Sequence, residues 1–325
     1  MSLIEQAAKR LEQLRKAGIE VPDSASPAQP NAASASEASV PLRVVMELDS
    51  RKEPHLEETA SRPPAGTSPR PPSTVNAEED DAAGRVEIDL ARLSAGGYIT
   101  PNAPRSRLAE EFRVIKRPLM NNISGKSATK VVHANRIMVT SSVPGEGKTF
   151  VSLNLAMSLA MELNTEVLLV DADASRPALL ERLGLEPSNG LLDLLVEPGL
   201  APRSLILKTN VEHLSILPAG NPQARATELL ASDSMSRLVE QLATDDPRRV
   251  VLFDTPPLLA ASESRVLAAH MGQIIMVIGA DGTPQGTVAE ALSTIDNCPI
   301  VFTLLNRVSP ADGGHYYGSY GAYKK

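Results

Sequence analysis

The sequence predicts a doubly wound α/β domain, in which a mostly parallel sheet carries helices on both faces. Three observations favour this class. After Lys130, short apolar runs alternate with helix-like segments, which is typical of parallel strands joined by crossover helices. A glycine-rich loop ending in Gly-Lys-Thr lies directly between the first apolar run and a helix. Acidic residues end two later runs, at the edge where open α/β sheets bind ligands.

Apolar runs predict the strands of this sheet, and the segments between them predict its helices. A further helix should begin at Ser106, since apolar residues recur at helical spacing after it, and Pro118 should kink or end that helix. The predicted strands are Ile137–Thr140, Val167–Val170, Leu214–Leu217, Val250–Phe253, Ile274–Ile278 and Val301–Leu305; the other predicted helices include Val151–Leu163, Met235–Leu242 and Thr287–Ile295.

The loop after the first predicted strand reads Ser-Ser-Val-Pro-Gly-Glu-Gly-Lys-Thr and ends at Thr149. Gly145 and Gly147 allow the backbone to turn tightly and direct its N–H groups at phosphate oxygens. Lys148 supplies a positive charge for the β- and γ-phosphates, and Thr149 offers its hydroxyl to Mg²⁺. Ser142 stands where the usual first glycine would be, so the sequence predicts a variant P-loop that binds ATP and Mg²⁺.

Two acidic motifs follow later strands. Asp171 and Asp173 come at the end of the second predicted strand, and Asp254 ends the run Val250–Phe253. Acids at i and i+2 point to opposite faces of a continuing strand and converge only if the chain turns. Helix capping is the alternative for that pair. An apolar run ending in an acid, as at Asp254, is typical of the second Mg²⁺-coordinating motif of P-loop proteins.

Asn306 and Arg307 follow the last predicted strand. The side-chain amide of Asn306 could contact the adenine edge of a nucleotide, and capping of a helix is an equally good interpretation.

The chain outside this domain differs in composition. Residues 3–16 predict an amphipathic helix within an N-terminal segment, 1–19, and the proline-, serine- and alanine-rich stretch 20–84 predicts a disordered linker. The folded domain is expected at 85–308, with the helix at 106–122. Residues 309–325 predict a flexible tail. It holds four of the five tyrosines of the chain, Tyr316, Tyr317, Tyr320 and Tyr323, which we interpret as phosphate acceptors.

The composition limits where such a protein works. A net charge of -7 and a pI of about 5.4 argue against nucleic acid as a partner. The single cysteine, Cys298, excludes a disulfide framework and fits a reducing compartment. No apolar run approaches the ~18–20 residues that span a bilayer. The sequence therefore predicts a cytoplasmic protein that reaches a membrane only through a partner.

Taken together, the P-loop, the Asp171-Ala-Asp-Ala-Ser-Arg-Pro segment, Asp254-Thr-Pro-Pro and the tyrosine tail resemble the bacterial P-loop tyrosine autokinases, over roughly residues 85–325. The chain looks closest to the autokinases of exosortase-linked exopolysaccharide loci. The segment Glu110 to Lys116 resembles the oligomerisation motif of that family, with Lys116 in place of its second arginine and Arg113 as its first. Glu263 stands in a region where many members carry aspartate.

The resemblance implies an enzyme that uses Mg-ATP to phosphorylate its own C-terminal tyrosines within an oligomer, with a ring as the expected form. Lys148, Asp171, Asp173 and Asp254 would be catalytic; Thr149, Asp171 and Asp254 would hold the metal; and Asp173 or Asp171 would accept the phenol proton. Nucleotide contacts would come from Pro144, Gly145, Glu146, Gly147, Lys148, Thr149, Phe150, Asn306 and Arg307; oligomer contacts would come from Glu110, Arg113 and Lys116.

The resemblance further implies a separate membrane-spanning polysaccharide co-polymerase as activator, a tyrosine phosphatase, and a location peripheral to the inner membrane. Two other functions compete with this one. A partitioning ATPase of the same fold would carry a signature lysine where this chain has Val143, and it would lack the tyrosine cluster. A regulatory module that binds nucleotide without turnover would keep the same ligands.

Overall fold

A sheet of nine strands organises the part of the chain that the computed structural model describes, residues 42–49, 84–102, 106–197, 199–280, 282–295 and 298–308. Its spatial order is β1-β9-β8-β3-β7-β4-β6-β5-β2, and every neighbouring pair is parallel except β5 and β6. The strands are β1 (Leu42–Asp49), β2 (Arg85–Val86), β3 (Arg136–Ser141), β4 (Glu166–Asp171), β5 (Leu207–Thr209), β6 (Leu214–Leu217), β7 (Arg249–Asp254), β8 (Gln273–Gly279) and β9 (Ile300–Val308).

Helices connect these strands, and a short 3₁₀ helix at Pro202–Ser204 precedes β5. Ser106 caps the second helix, and its hydroxyl accepts a hydrogen bond from the Ala109 N–H at 3.1 Å. The helices are α1 (Leu90–Ala95), α2 (Arg107–Ile123), α3 (Lys148–Ala160), α4 (Leu179–Leu183), α5 (Leu191–Val196), α6 (Ala226–Leu230), α7 (Asp233–Thr244), α8 (Ser262–Ala268) and α9 (Gln285–Ser293).

Alternate residues of each central strand feed two separate apolar layers. On β3, Ile137 and Val139 pack into one layer with α2 and α3, whereas Met138 packs into the other with α7 and α8. This alternation follows from the two-residue repeat of a strand. Because both faces are covered, the central strands are mainly apolar and buried on both sides, and the predicted doubly wound α/β class is confirmed.

All six predicted strands are present, as β3, β4, β6, β7, β8 and β9. The helix predicted from Ser106 is present as well, with Phe112 and Leu119 fully buried. Pro118 does not end it, because α2 continues to Ile123. A proline inside a helix removes one backbone donor, and the buried apolar stripe on both sides of Pro118 keeps the helix in place.

Strand β1 corrects one prediction. Its eight residues lie inside the stretch 20–84 that the composition predicts to be a disordered linker, yet they pair in parallel with β9, from Leu42 opposite Ile300 onward. The local sequence Leu-Arg-Val-Val-Met-Glu-Leu-Asp has strand-forming residues that an average over the whole linker conceals. The linker prediction is therefore wrong for residues 42–49.

The predicted N-terminal helix, most of the linker and the tyrosine tail lie outside the described residues. Within the described ranges, none of the helices combines the length and the apolar character needed to cross a membrane.

Candidate active site

The carboxyl edge of the sheet brings the predicted motifs together, because their strands are neighbours in the order β3-β7-β4. In the strand register, Val139 of β3 lies opposite Asp254 of β7, and Asp254 lies opposite Asp171 of β4. The P-loop leaves the end of β3 at the same edge and enters α3 at Lys148. Three motifs that are well separated in sequence thus form one site.

Two glycines give the P-loop its shape. Gly145 and Gly147 have φ values of 87° and 95°, in the region that favours glycine, and Gly147 is the N-cap of α3. A Cβ added at Gly147 would lie only 2.2 Å from Nδ2 of Asn306. Both the backbone conformation and the close approach of Asn306 therefore require glycine at position 147.

We expect Gly147→Ala to weaken nucleotide binding at least ~10-fold, since the left-handed conformation costs an alanine ~1–2 kcal/mol and Asn306 must also move. Titration with a fluorescent ADP analogue would measure the affinity. Gly286→Ala is the matched control, because that glycine lies in α9 with open space around its Cα. Unchanged affinity in the Gly147 variant would show that the loop adapts more easily than its geometry indicates.

Lys148 and Asp173 form an ion pair at the centre of the site, with Nζ 2.6 Å from Oδ2. The chain turns directly after β4, and the Asp173 N–H donates to Oδ1 of Asp171 at 3.2 Å. The two acids therefore converge, as the sequence allowed only for a turning strand. Burial opposes the charge on Lys148, but Asp254, Asp173 and Asp171 together outweigh it and raise the pKa of its ammonium.

Asp171 and Asp254 are both 1% exposed. Burial, with a smaller effect of the Asp254 charge, raises the pKa of Asp171 to about 8. Burial likewise raises the pKa of Asp254, although Lys148 and the hydroxyls of Thr149 and Ser152 counteract it. Two buried carboxylates on neighbouring strands thus carry more negative potential than Lys148 neutralises, and this favours a further cation between them.

The donors around these acids fit Mg²⁺. Carboxylate and hydroxyl oxygens are its preferred protein ligands, and it commonly completes its shell with phosphate oxygens and water. In the ranges that the structure describes, no three His, Cys, Asp or Glu side chains group closely enough to hold a metal by themselves. Thr149, Asp171 and Asp254 would therefore hold the ion together with the nucleotide.

Two hydroxyl groups lie near the metal position, and the sequence predicts the role of only one of them. Thr149 belongs to the P-loop motif, whereas Ser152 was not predicted. Ser152 donates to Oδ1 of Asp254 at 3.0 Å. It follows Lys148 by one helical turn, so the spacing in α3 was the available signal.

The buried side chain of Glu146 stabilises the P-loop through hydrogen bonds. Its side chain is 3% exposed and accepts hydrogen bonds from the Val143 N–H at 2.9 Å, the Gly279 N–H at 3.0 Å and the Thr283 hydroxyl at 2.5 Å. The carboxylate therefore ties the loop to the end of β8, and only the backbone of Glu146 is available for phosphate. The sequence placed Glu146 in the loop but gave no sign of this second role.

Asn306 lies within β9, so the helix-capping interpretation is wrong. Its Nδ2 donates to the Glu146 carbonyl at 2.9 Å, which fixes the P-loop from a second side. Arg307 follows with a φ of 62° and an exposed side chain. Phe150, the last predicted nucleotide contact, packs on Tyr98 with ring centroids 5.1 Å apart.

The predicted oligomerisation residues on α2 differ in their surroundings. Glu110 and Arg113 are exposed and form an ion pair along the helix. Lys116 is 7% exposed, donates to the Ser158 carbonyl at 2.6 Å and pairs with Glu162 at 2.7 Å. Both partners belong to its own chain, so Lys116 is held within the protein, and its contact between subunits stays a prediction. Its position on the helix turns it toward α3, next to the buried stripe.

Glu263, at the start of α8, is 6% exposed and accepts a hydrogen bond from the Thr227 hydroxyl at 2.7 Å. It joins α8 to α6 within the protein.

A cavity of about 380 Å³ opens on the other side of Asp171, within the ~300–1,000 Å³ range of ligand pockets. The hydroxyl of Ser188 faces it and is buried without a hydrogen-bond partner. A shallower depression of about 450 Å³ beside Asn210 contains none of the site residues. The 380 Å³ cavity is lined mainly by apolar side chains, among them Pro177, Leu180, Leu185, Pro187 and Pro218.

The loops around this cavity are held in place by Asp193. Its carboxylate accepts from the Gly190 N–H at 2.7 Å and from the Asn221 N–H at 3.1 Å and side chain at 2.8 Å. A Cβ at Gly190 would lie 2.0 Å from the Pro218 carbonyl oxygen, so the two loops are in close contact. The cavity is thus preformed.

The fold and the site define a P-loop nucleotide-binding protein with paired acids beside its phosphate loop. A family model described as an AAA domain matches residues 134–298. Tyrosine-protein kinase YwqD of Bacillus subtilis (strain 168) is 30% identical over 226 residues, which are 68% of this chain and 91% of YwqD. The chain therefore belongs to the bacterial tyrosine-protein kinases, and its class is protein-tyrosine kinase.

Two further relatives extend this picture. The crystal structure of the VpsO kinase domain superposes with a TM-score of 0.52 at 32% identity, over 62% of this chain and 96% of that domain. The succinoglycan biosynthesis transport protein ExoP of Rhizobium meliloti (strain 1021) is 29% identical over 231 residues, which are 70% of this chain. The match covers only 28% of ExoP.

Proposed function

We propose that this kinase uses Mg-ATP to phosphorylate the tyrosines of its own C-terminal tail, with one subunit modifying the tail of another. The observation that carries the proposal is the meeting of Lys148, Asp173, Asp171 and Asp254 at the mouth of the P-loop. This cluster supplies the charge neutralisation and the proton acceptor that phosphoryl transfer to a phenol requires.

In the proposed reaction the phenol oxygen attacks the γ-phosphorus as the bond to the β-γ bridging oxygen breaks. The phenol proton passes to a carboxylate, and ADP leaves. Lys148 and the loop N–H groups stabilise the charge that develops on the phosphate oxygens. Asp173 is held by Lys148, and Asp171 lines the cavity, so Asp173, or Asp171 once it is ionised, can accept the proton. Bound Mg²⁺ would further neutralise the phosphates.

The cavity beside Asp171 supports an aromatic acceptor. Its apolar walls suit a ring, and Asp171 stands at the side that faces the phosphate loop. The Ser188 hydroxyl offers an unused hydrogen-bonding group inside it. A serine or threonine acceptor would leave these walls unfilled, so the cavity favours tyrosine.

Transfer between subunits is supported by the reach of the tail and by the surface of α2. At ~3.3–3.6 Å per residue, the eight residues from Val308 to Tyr316 can extend ~26–29 Å. The exposed Glu110 and Arg113 remain candidate contacts between subunits, and Arg117 and Val114 share their exposed face. An oligomer built on this face would bring one tail to another site.

The biological setting follows from relatives. ExoP is named as a succinoglycan biosynthesis transport protein, and the match with this chain covers 28% of its length. We infer that the kinase regulates exopolysaccharide synthesis or export together with a membrane-spanning polysaccharide co-polymerase, and that a phosphatase reverses the modification.

Intact-mass measurement after incubation with Mg-ATP tests the proposal. The wild type should gain phosphates, and a variant with Tyr316, Tyr317, Tyr320 and Tyr323 changed to phenylalanine should gain none, although it still binds ATP. When that variant is mixed with Lys148→Met, the tail of the Lys148 variant should become phosphorylated. The intact active site and the acceptor tyrosines then lie on different chains. ADP release without added mass in the wild type would instead favour the ATPase function.

A further inference from the structure

The amino-terminal end of β3 holds a buried cation that the kinase site does not use. Arg136 is the first residue of β3 and lies ~17 Å from Ser141, at ~3.3 Å per strand residue. It is 7% exposed, and its Nε finds no hydrogen-bond partner. No described residue forms an ion pair with it. A largely buried arginine without a paired acid is costly, and its charge favours an anion beside it.

One histidine contacts the Arg136 backbone, and a second lies two residues before another backbone contact of Arg136. The Arg136 N–H donates to the His133 carbonyl at 2.9 Å, and the Arg136 carbonyl accepts from the Gly272 N–H at 3.1 Å, two residues after His270. A Cβ at Gly272 would lie 2.2 Å from the His133 carbonyl oxygen. The turn at His133 and the turn at His270 therefore pack tightly on either side of the strand end.

The charges of this group are unbalanced. Burial, and then the charge of Arg136, lower the pKa of His133 and of His270, and His133 lowers the pKa of His270 further. Burial also lowers the pKa of Arg136 itself. The negative charge of Glu240 on α7 counteracts this and favours the charged forms of Arg136 and His133. Glu240 itself is exposed to solvent. Three basic groups that oppose one another's charge thus have one exposed carboxylate, which acts on two of them.

We propose that Arg136, His133 and His270 form a binding site for a phosphate-type oxyanion, at the edge of the sheet opposite the nucleotide site. The Arg136 guanidinium would donate to the anion oxygens through its N–H groups. A protonated His270 can donate from Nε2 to the Ser236 hydroxyl, 3.2 Å away, which leaves its Nδ1–H for the anion. The exposed His133 would close the site from the solvent side.

Two sources can supply this chemistry, free phosphate and a phosphotyrosine of the tail. The fifteen residues from Val308 to Tyr323 can extend ~50 Å at ~3.3–3.6 Å each, which exceeds the length of β3. The second source rests on the proposed function, whereas the first does not.

Anion binding and histidine protonation should reinforce each other. A bound oxyanion stabilises the imidazolium forms and raises both histidine pKa values, so its affinity should increase as the pH falls through them. Glu240 opposes the anion, and Arg136 attracts it at every pH used.

NMR titration of the histidine rings tests the site on the full chain, with the P-loop saturated by Mg-ADP so that it does not compete for phosphate. The His133→Gln and His270→Gln variants identify the two signals among the five histidines. At constant ionic strength, replacing chloride by phosphate should raise both pKa values by at least ~0.5 unit. His213, which pairs with Glu166 elsewhere, is the internal control and should not move.

Arg136→Met should abolish the response of both histidines to phosphate. If this variant does not fold, the wild-type titration still decides, because equal pKa values in chloride and phosphate would overturn the proposal. The source is separated by comparing phosphorylated wild type with the variant that lacks the four tail tyrosines. Histidine pKa values already raised by phosphorylation indicate phosphotyrosine, and values raised only by added phosphate indicate the free anion.

Discussion

Lys148→Met should reduce tyrosine autophosphorylation by ~10²–10³-fold or more, because removal of one preorganised donor to the transition-state charge has effects of this size. Among the described residues of the site, the Lys148 ammonium is the cation that interacts with all three acids, Asp173, Asp171 and Asp254. Its loss removes the charge that faces the γ-phosphate and leaves Asp173 without its 2.6 Å partner. Intact mass after a timed incubation with Mg-ATP measures the effect.

The control for Lys148→Met is Lys126→Met, which removes the same charge from an exposed position after α2. It should leave the phosphorylation rate within about twofold, as surface substitutions usually have small effects. Circular dichroism and thermal unfolding must show that the Lys148 variant is folded at the assay temperature, since a buried ion pair is broken. A folded Lys148 variant that still phosphorylates its tail would contradict the proposed mechanism.

The fold and the main site were predictable because each depends on short-range patterns. The strand and helix periods, the Gly-Lys-Thr loop and the acids at strand ends are all visible in the sequence, and parallel strands place their carboxyl ends at one edge. The convergence of Asp171 and Asp173 could not be decided, since it depends on whether the chain turns after β4. The Asp173 N–H bond to Asp171 shows that it does.

Other features depend on contacts between distant residues and left no local signal. Glu146 reaches Gly279 and Thr283, more than 130 positions away, and Asn306 reaches back to the Glu146 carbonyl. Lys116 carries a charge that predicts exposure, but its ammonium finds the Ser158 carbonyl at the end of α3. Arg136 is a different case: it begins β3 and is largely buried, yet it forms no ion pair with any of the described residues.

Asp171→Asn should have two effects that can be measured separately, a loss of kinase activity and a change in the pH dependence of stability. An amide cannot hold Mg²⁺ with a charge or accept a phenol proton, so we expect phosphorylation to fall by ~10²-fold or more. The same substitution should change how the stability of the nucleotide-free chain depends on pH. Intact mass gives the first effect, and urea unfolding at a series of pH values gives the second.

The sign of the second effect follows from the pKa of Asp171, which burial raises from 3.8 to about 8. In the unfolded chain the carboxyl ionises near its ordinary value, whereas the folded chain keeps it protonated. Between these values the folded state binds more protons, so wild-type stability declines as the pH rises, by up to ~1.4 kcal/mol per pH unit from this group. Below the ordinary value and above the raised one, the contribution of Asp171 becomes flat.

The side-chain amide of the Asp171→Asn variant has no proton to lose, so this variant should lack that part of the decline. It should gain stability over wild type as the pH rises from about 4 toward about 8. The gain is reduced because one of the bonds from the Asp173 and Leu179 N–H groups must be lost. Glu186→Gln, at an exposed position, should leave the pH profile unchanged.

Parallel stability profiles for wild type and Asp171→Asn would show that Asp171 ionises normally in the folded chain. Diverging profiles with lost activity would show that the buried acid is maintained for catalysis although it lowers stability. Because Mg-ATP binds the folded chain and places a cation beside this carboxylate, it should then restore stability to the wild type more than to the variant.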